Sequence, residues 1–591
     1  MSQQLKRTIR IIFIVVVALM LIWYFGFEFP FRGRPFNASI HGNPPLTPRW
    51  ALECWLWEDD VNTAERVDTL LEGYAKHDIP VRTILIDSPW SMRYNDFEMD
   101  TTRYPNPKEW FAKLKNKDYR IILWMTTMVN SRSDDTKVKD SEDWYHFAKE
   151  KGYLAGNGAQ IKWWKGKGGF IDYSNPDAVA WWQDMQQQVY DLNIDGWKLD
   201  GTATYLHSMF GPIPLFYTKT HRGIMTARTY MNHYYRTEYF HGLTKNPEFV
   251  TLSRAIDRWY HPEGFAPRDA APVTWVGDQK HTWESAGKKS GDDADHVDIA
   301  LDGIEGIEMA LQHIIASAKA GYNIIGSDVA GFSGSVIPPR LYIRWAQLST
   351  FCGLFLNGGH GERALWKRSR QELEIIRKFS WLHTELVPYM YSYVVTGHQG
   401  GALLQRPVKG KYHYMFGDDF LVAPIFQDRL TNQVHLPKGS WRYFFNDDEV
   451  VQGPAQFKKD FPLDEYPVYI REGAIVPMDI KRDYTGIGDQ YSEGLITLLI
   501  YPKENNSFRL HHSENESTLI TSEDNGGQLH IRIEGKKIPH ILNIKISEKP
   551  ETVALDGIFL TENKDYVFDQ NGKRLIVTTY TYDSGEYIIN K

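Results

Sequence analysis

Eight short β-rich runs alternate with amphipathic helical stretches between Trp50 and His360, and this alternation constrains the fold more than any other feature of the chain. The runs are WALECWLW (50–57), VRTILID (81–87), YRIILWM (119–125), IDGWKLD (194–200), EFVTLSR (248–254), VTWVGD (273–278), YNIIGSD (322–328) and GLFLNGG (353–359). Each is of strand length and rich in β-branched and aromatic residues. The stretches between them include VNTAERVDTLLEGYAKH, NPKEWFAKLKNK, NPDAVAWWQDMQQQVYDL and IEGIEMALQHIIASAKA. Apolar residues recur in them three and four apart, as on a helix with one buried face. Such alternation builds a parallel sheet, and eight strands close one into a barrel. The expected class is α/β, a (β/α)8 TIM barrel over residues 36–394. At 591 residues the chain exceeds one domain. After the helical SRQELEIIRKFSWLHTELVPYMYSYVV it changes to short alternating strands, which predict two small C-terminal β-sandwich domains, 395–480 and 481–591, expected to brace the barrel.

Asp87, Asp200, Arg254, Asp278 and Asp328 each close an apolar run, and His360 follows the eighth. In a (β/α)8 barrel those carboxyl ends converge on one face. Carboxylates gathered there would repel one another, which costs stability but suits acid–base or nucleophilic chemistry. Other chemistries lack their signatures. No H-E-x-x-H zinc motif, G-x-S-x-G elbow or P-loop occurs, and two cysteines, Cys54 and Cys352, are too few for a disulfide framework or a zinc site. No metal or cofactor is expected. Lys+Arg of 67 against Asp+Glu of 74 gives a net charge of −7, which argues against nucleic acid as a partner. Paired carboxylates beside Trp and Tyr are what glycoside hydrolysis requires, so the expected partner is an oligosaccharide or glycoside substrate.

The blocks GGFIDYSNPDAVAWWQD, DGWKLDGTATYL, LSRA, TWVGDQ, GSDVAGFSG, LNGGHGERALW, GDDFLVAPIF, LPKGSW and YPVYIREGAIVPM occur in the order found in glycoside hydrolase family 31. The chain resembles that family from about Trp50 to Met478. The resemblance implies a retaining α-glycosidase with Asp200 as nucleophile and Asp278 as general acid/base. It further implies that Arg254, Asp328, Asp87 and His360 bind hydroxyls of the sugar in subsite −1. Retention needs carboxyl groups about 5–5.5 Å apart. Arg254 is the cation expected beside Asp200, and the apolar flank of Trp275 and Val276 is expected to keep Asp278 protonated. Trp197, Trp275 and Trp283 are candidate platforms for sugar faces.

The sequence departs from the family pattern in three places. Gly201-Thr202-Ala203 follows Asp200 where many α-glucosidases of the family carry an acidic pair; α-glucosidase-like cleavage of a terminal α-linked hexose is expected, with α-galactosidase or another α-glycosidase of the family as the rival. Transglycosylation and a catalytically silent carbohydrate-binding protein are the other readings. An insertion between LSRA and WVGD adds Arg258, His261, Glu263 and Arg268, and residues 36–49 leave no room for the family's amino-terminal β-sandwich. The long insert 127–172, containing KWWKGKGG, is a candidate lid.

Residues 1–35 form a separate unit. Lys6, Arg7 and Arg10 precede the uncharged run Ile11 to Phe27, which is just long enough to cross a bilayer, and Trp23 and Tyr24 suit an interfacial belt. No small-residue cleavage site follows. A single-pass signal anchor is expected, with the catalytic body outside the cytosol, although Arg32 and Arg34 weaken the charge asymmetry. Asn37-Ala38-Ser39 is a formal glycosylation sequon.

Overall fold

A computed structural model describes residues 3–32, 42–201, 216–255, 266–283, 305–334, 336–580 and 585–591. Asn37–Ser39, Arg34, Thr202, Ala203, Arg258, His261 and Glu263 lie outside the described residues.

All eight expected strands are present: β1 Trp55–Glu58, β2 Thr83–Ile86, β3 Arg120–Met125, β4 Gly196–Leu199, β5 Val250–Arg254, β6 Val273–Trp275, β7 Ile325–Gly326 and β8 Leu356–Gly359. They form one sheet in the order β7-β6-β5-β4-β3-β2-β1-β8, and a parallel bridge from Asp328 to Leu356 joins its two ends. The barrel is nearly closed. Its strands are buried along almost their whole length, which is why they read as continuous apolar runs. All eight are shorter than the expected runs, β7 and β1 by most. The segment before β1 coils into a 3-10 turn, Arg49–Leu52, behind Pro48, and β6 and β7 are cut short. After β6 the chain turns left-handed at Asp278, with φ at 69°.

The chain divides into two compact units: Met1–Gly42, Val61–Val67 and Leu85–Pro272, and Asn43–Asp60, Asp68–Ile84 and Val273–Lys591. The first holds β3, β4 and β5. Its insert after β3, the candidate lid, is a folded element rather than a bare loop: strands Met128–Ser133, Gly166–Phe170 and Ile161–Trp163 pair antiparallel, with the helix Glu142–Glu150 packed on the first. The helix Gln3–Trp23 leads this unit, continuing through the turn Tyr24–Glu28 into Phe29–Arg32. Gln3–Gly26 is long and apolar enough to cross a membrane, and its apolar side chains are exposed.

The second unit holds β1, β6, β7 and β8 and the carboxyl-terminal third. A six-stranded antiparallel sheet spans Gln405–Pro407 to Val468–Arg471, including the long hairpin Thr431–Tyr443 and Asn446–Asp460. Arg344, on the helix Pro339–Thr350, donates to the carbonyls of Phe461 (2.7 Å) and Glu465 (2.6 Å) at its border. Phe351 packs on Phe416, Phe420 and Phe444 of the same domain. The distal domain is a sandwich of two sheets around a core that includes Leu498, Leu510, Leu529, Leu542 and Tyr587. Its first strand is Ile475–Met478, paired with Ile496–Ile500, so it begins slightly before the expected 481.

Candidate active site

In the first unit, β4 sorts its residues by the two-residue period of a strand. Trp197 is sealed in the core, 0% exposed, with its indole N–H donating to Tyr190 Oη (3.0 Å) and its rings against Trp90 and Phe97. It offers no open face to a sugar. Lys198, on the other side, places Nζ 2.7 Å from Asp87 Oδ2, both side chains buried. Asp200 follows on the side of Lys198. Arg254, ending the neighbouring β5, approaches Asp200 Oδ1 through Nε (2.9 Å) and Nη2 (2.8 Å). The Gly201 amide donates to the same oxygen (2.8 Å) and the Trp124 indole N–H to Oδ2 (3.1 Å). Each of these partners can only donate, so the carboxylate is held as an acceptor on both oxygens. Trp124 is also supported from the lid, where Trp163 lies parallel to it with ring centroids 6.5 Å apart and donates to Asn130 Oδ1 (2.8 Å).

In the second unit, Asp278 stands on the left-handed turn after β6, with its backbone N–H donating to Asp328 Oδ2 (3.0 Å). Asp328, fully buried, thus fixes the backbone that presents Asp278. The turn behind it, Val329 to Gly331, is clamped by the buried Arg363, which donates to the carbonyls of Val329 and Gly331. Gly331 is required there: φ is 86° and a Cβ would lie 2.7 Å from the Gln279 carbonyl. His281 donates through Nδ1 to the Ala330 carbonyl (2.7 Å), and burial followed by the Arg363 charge lowers its pKa to about 4, which leaves it neutral near pH 7. Trp275 is buried, its ring filling the space over Gly277, and Trp283 is half-buried. His360 has Nδ1 2.7 Å from Asp60 Oδ1 and Nε2 3.3 Å from Asp59 Oδ2, with its ring over Phe332, which stacks on Trp57. An imidazole can donate to both carboxylates only when protonated. Both ring nitrogens face protein acids.

Sequence reasoning missed Lys198, Trp124, Arg363, Asp59 and Asp60. Two signals could have found some of them. Lys198 and Asp200 share one side of β4 by alternation, and Asp59 and Asp60 follow β1 as the recognised acids follow their strands. Among the described residues no group of three or more His, Cys, Asp or Glu side chains is arranged to hold a metal ion.

An eight-stranded barrel with carboxylates and an arginine at its strand ends, followed by β domains, defines a class of (β/α)8 proteins that work at the carboxyl face of the barrel. The chain belongs to glycosyl hydrolase family 31: residues 44–290 and 299–393 match the family's TIM-barrel domain and residues 404–476 its C-terminal domain. It is similar to an α-xylosidase of Emericella nidulans, 25% identical over 75% of this chain and 55% of the relative. It is also similar to α-glucosidase 2 of Bacillus thermoamyloliquefaciens, 23% identical over 91% of this chain and 68% of the relative. The chain thus spans between about half and two-thirds of the length of these relatives. In fold it is like a cycloalternan-forming enzyme from Listeria monocytogenes solved with a pentasaccharide substrate, with a TM-score of 0.78, 20% identity and coverage of 94% of this chain and 55% of that one.

Proposed function

We propose that the chain is a retaining α-glycosidase that removes a terminal α-linked hexose by double displacement. Asp200 attacks the anomeric carbon and Asp278 protonates the leaving oxygen, then deprotonates the water that releases the sugar. The observation that carries this reading is the Asp200 carboxylate itself, held at a strand end by Arg254, Trp124 and the Gly201 amide as an acceptor ready to become an ester. Asp87 with Lys198, and Arg254 and Asp328 with His360, supply the polar groups proposed to read the sugar hydroxyls. Trp197 supports the wall from behind and is not assigned a sugar face.

The test is a panel of aryl α-glycosides, with glucosides, galactosides and xylosides included because Gly201-Thr202-Ala203 stands where many α-glucosidases carry an acidic pair and one relative is a xylosidase. Asp200→Ala is expected to abolish turnover with the fold intact, and surviving activity rules out the nucleophile assignment. Asp278→Asn is expected to slow poor leaving groups far more than activated ones, since only the former need a proton. Product analysis on the same panel separates hydrolysis from transfer. The helix Gln3–Gly26 is read as an uncleaved signal anchor with the body outside the cytosol. Recovery of the intact chain in the membrane fraction after carbonate extraction tests that.

A further inference from the structure

The connection that follows Asp200 ends in a hairpin, strands Tyr217–Thr220 and Gly223–Thr226, immediately before the helix Ala227–Lys245. In a (β/α)8 barrel such a connection lies at the carboxyl face of its strand. The register pairs Tyr217 with Thr226 and Lys219 with Ile224. Directly paired residues and residues two apart share a face. Tyr217, Lys219, Ile224 and Thr226 therefore line one face, and Thr218, Thr220 and Met225 the other. The second face is buried; on the first, Lys219 is exposed and Ile224 is 68% exposed. The hairpin is nonetheless firmly held. The backbone N–H of His221 donates to Asp172 Oδ2 (2.6 Å), that of Arg222 to Ser174 Oγ (3.3 Å), and that of Gly156 to the Lys219 carbonyl (2.7 Å). An ordered element thus presents an isoleucine beside a lysine to solvent.

What identifies the partner is the apolar helix in the same unit. Tyr217, on the exposed face, donates its hydroxyl to the Phe25 carbonyl (2.7 Å), at the end of the segment able to cross a membrane. The following turn, Phe29–Arg32, packs on Ala227–Lys245. The exposed hairpin face is therefore continuous with the point where that helix would leave a bilayer, beside Trp23 and Tyr24. Aromatic rings at headgroup level, a lysine that extends toward phosphates and an isoleucine below it are the chemistry of a membrane interface.

We propose that the exposed face of the 217–226 hairpin docks on the bilayer crossed by Gln3–Gly26, Ile224 entering the acyl boundary and Lys219 meeting anionic headgroups. The Asp200-bearing side of the unit is then held at the membrane surface. This rests on the signal-anchor reading, so the test reports on both. The full chain carrying Ile224→Cys is labelled with an environment-sensitive nitrobenzoxadiazole dye in vesicles of phosphatidylcholine and phosphatidylglycerol. Cys54 and Cys352 are buried, with thiols pushed by burial to about 12, and do not compete. Leu19→Cys, labelled in the same way, reports insertion of the helix. Blue-shifted emission at 224, quenched at least twofold by lipids spin-labelled near the headgroup and less so when Lys219→Glu is added, is the expected result. Water-like emission at 224 with position 19 quenched overturns the docking and leaves the anchor standing. Water-like emission at both positions overturns the anchor, and the docking with it.

Discussion

Three donors converge on the Asp200 carboxylate, and they differ in what their loss removes. Trp124→Phe keeps the ring against Trp163 but deletes the N–H that reaches Oδ2. A hydrogen bond to a charged group contributes about 1.5–3 kcal/mol to stability, so the midpoint temperature is expected to fall, and the loss of the group that orients Oδ2 is expected to lower kcat on an aryl glycoside with KM nearly unchanged. A second residue-scale expectation concerns Glu238, buried on the helix Ala227–Lys245, where it accepts from Tyr173 Oη (2.6 Å), Trp182 Nε1 (3.1 Å) and Gln186 Nε2 (2.7 Å). Burial pushes its carboxyl up from 4.5 to about 7, with those hydrogen bonds pulling the other way. Between those values the folded chain holds the proton that the unfolded chain has lost. Its contribution is therefore complete below pH 4.5 and declines as pH rises to about 7. Glu238→Gln is expected to flatten that part of the curve of midpoint temperature against pH. Asp200 and Arg254 were legible in the sequence because a charge closing an apolar run is conspicuous. Trp124 was not, because an indole inside a strand reads as core, and only the register opposite Lys198 turns it toward the carboxylate.

The lid shows what is lost between a sequence pattern and an element. KWWKGKGG suggested a mobile glycine-rich loop, yet its glycines serve close packing within a sheet. Gly166 has φ at 127°, and a Cβ there would lie 2.1 Å from the Arg132 carbonyl on the paired strand. Gly166→Ala is expected to distort the lid sheet, loosen Trp163 from Trp124, and reduce kcat/KM at least several-fold. Far-ultraviolet circular dichroism should stay close to that of the unaltered protein, and limited proteolysis should quicken between residues 127 and 172. The barrel strands behaved differently: all eight were readable because burial on both faces makes each a continuous apolar run. Their ends were not, because a left-handed turn at Asp278 or a 3-10 turn before β1 is decided by neighbouring backbone rather than by hydrophobicity.

At the scale of the whole molecule, the proximal β domain packs against the end of the barrel helix Pro339–Thr350. Arg344 spans from a barrel helix to two carbonyls beside the proximal sheet, and burial lowers the pKa of its guanidinium to about 10. Arg344→Met leaves the carbonyls unpaired at a cost of about 1–3 kcal/mol each. A lower midpoint temperature by calorimetry is expected, with the β domains melting separately from the barrel. The alternation of strands and helices, the family, and the acids closing β2, β4, β6 and β7 all follow from the sequence alone, because hydrophobic period and chain order are local properties. The pairing of Arg254 with Asp200 was also expected, from two neighbouring strand ends. Tertiary structure alone decided that Lys198 meets Asp87 and that His360 meets Asp59 and Asp60, because those pairings depend on residues brought together from distant parts of the chain by strand register.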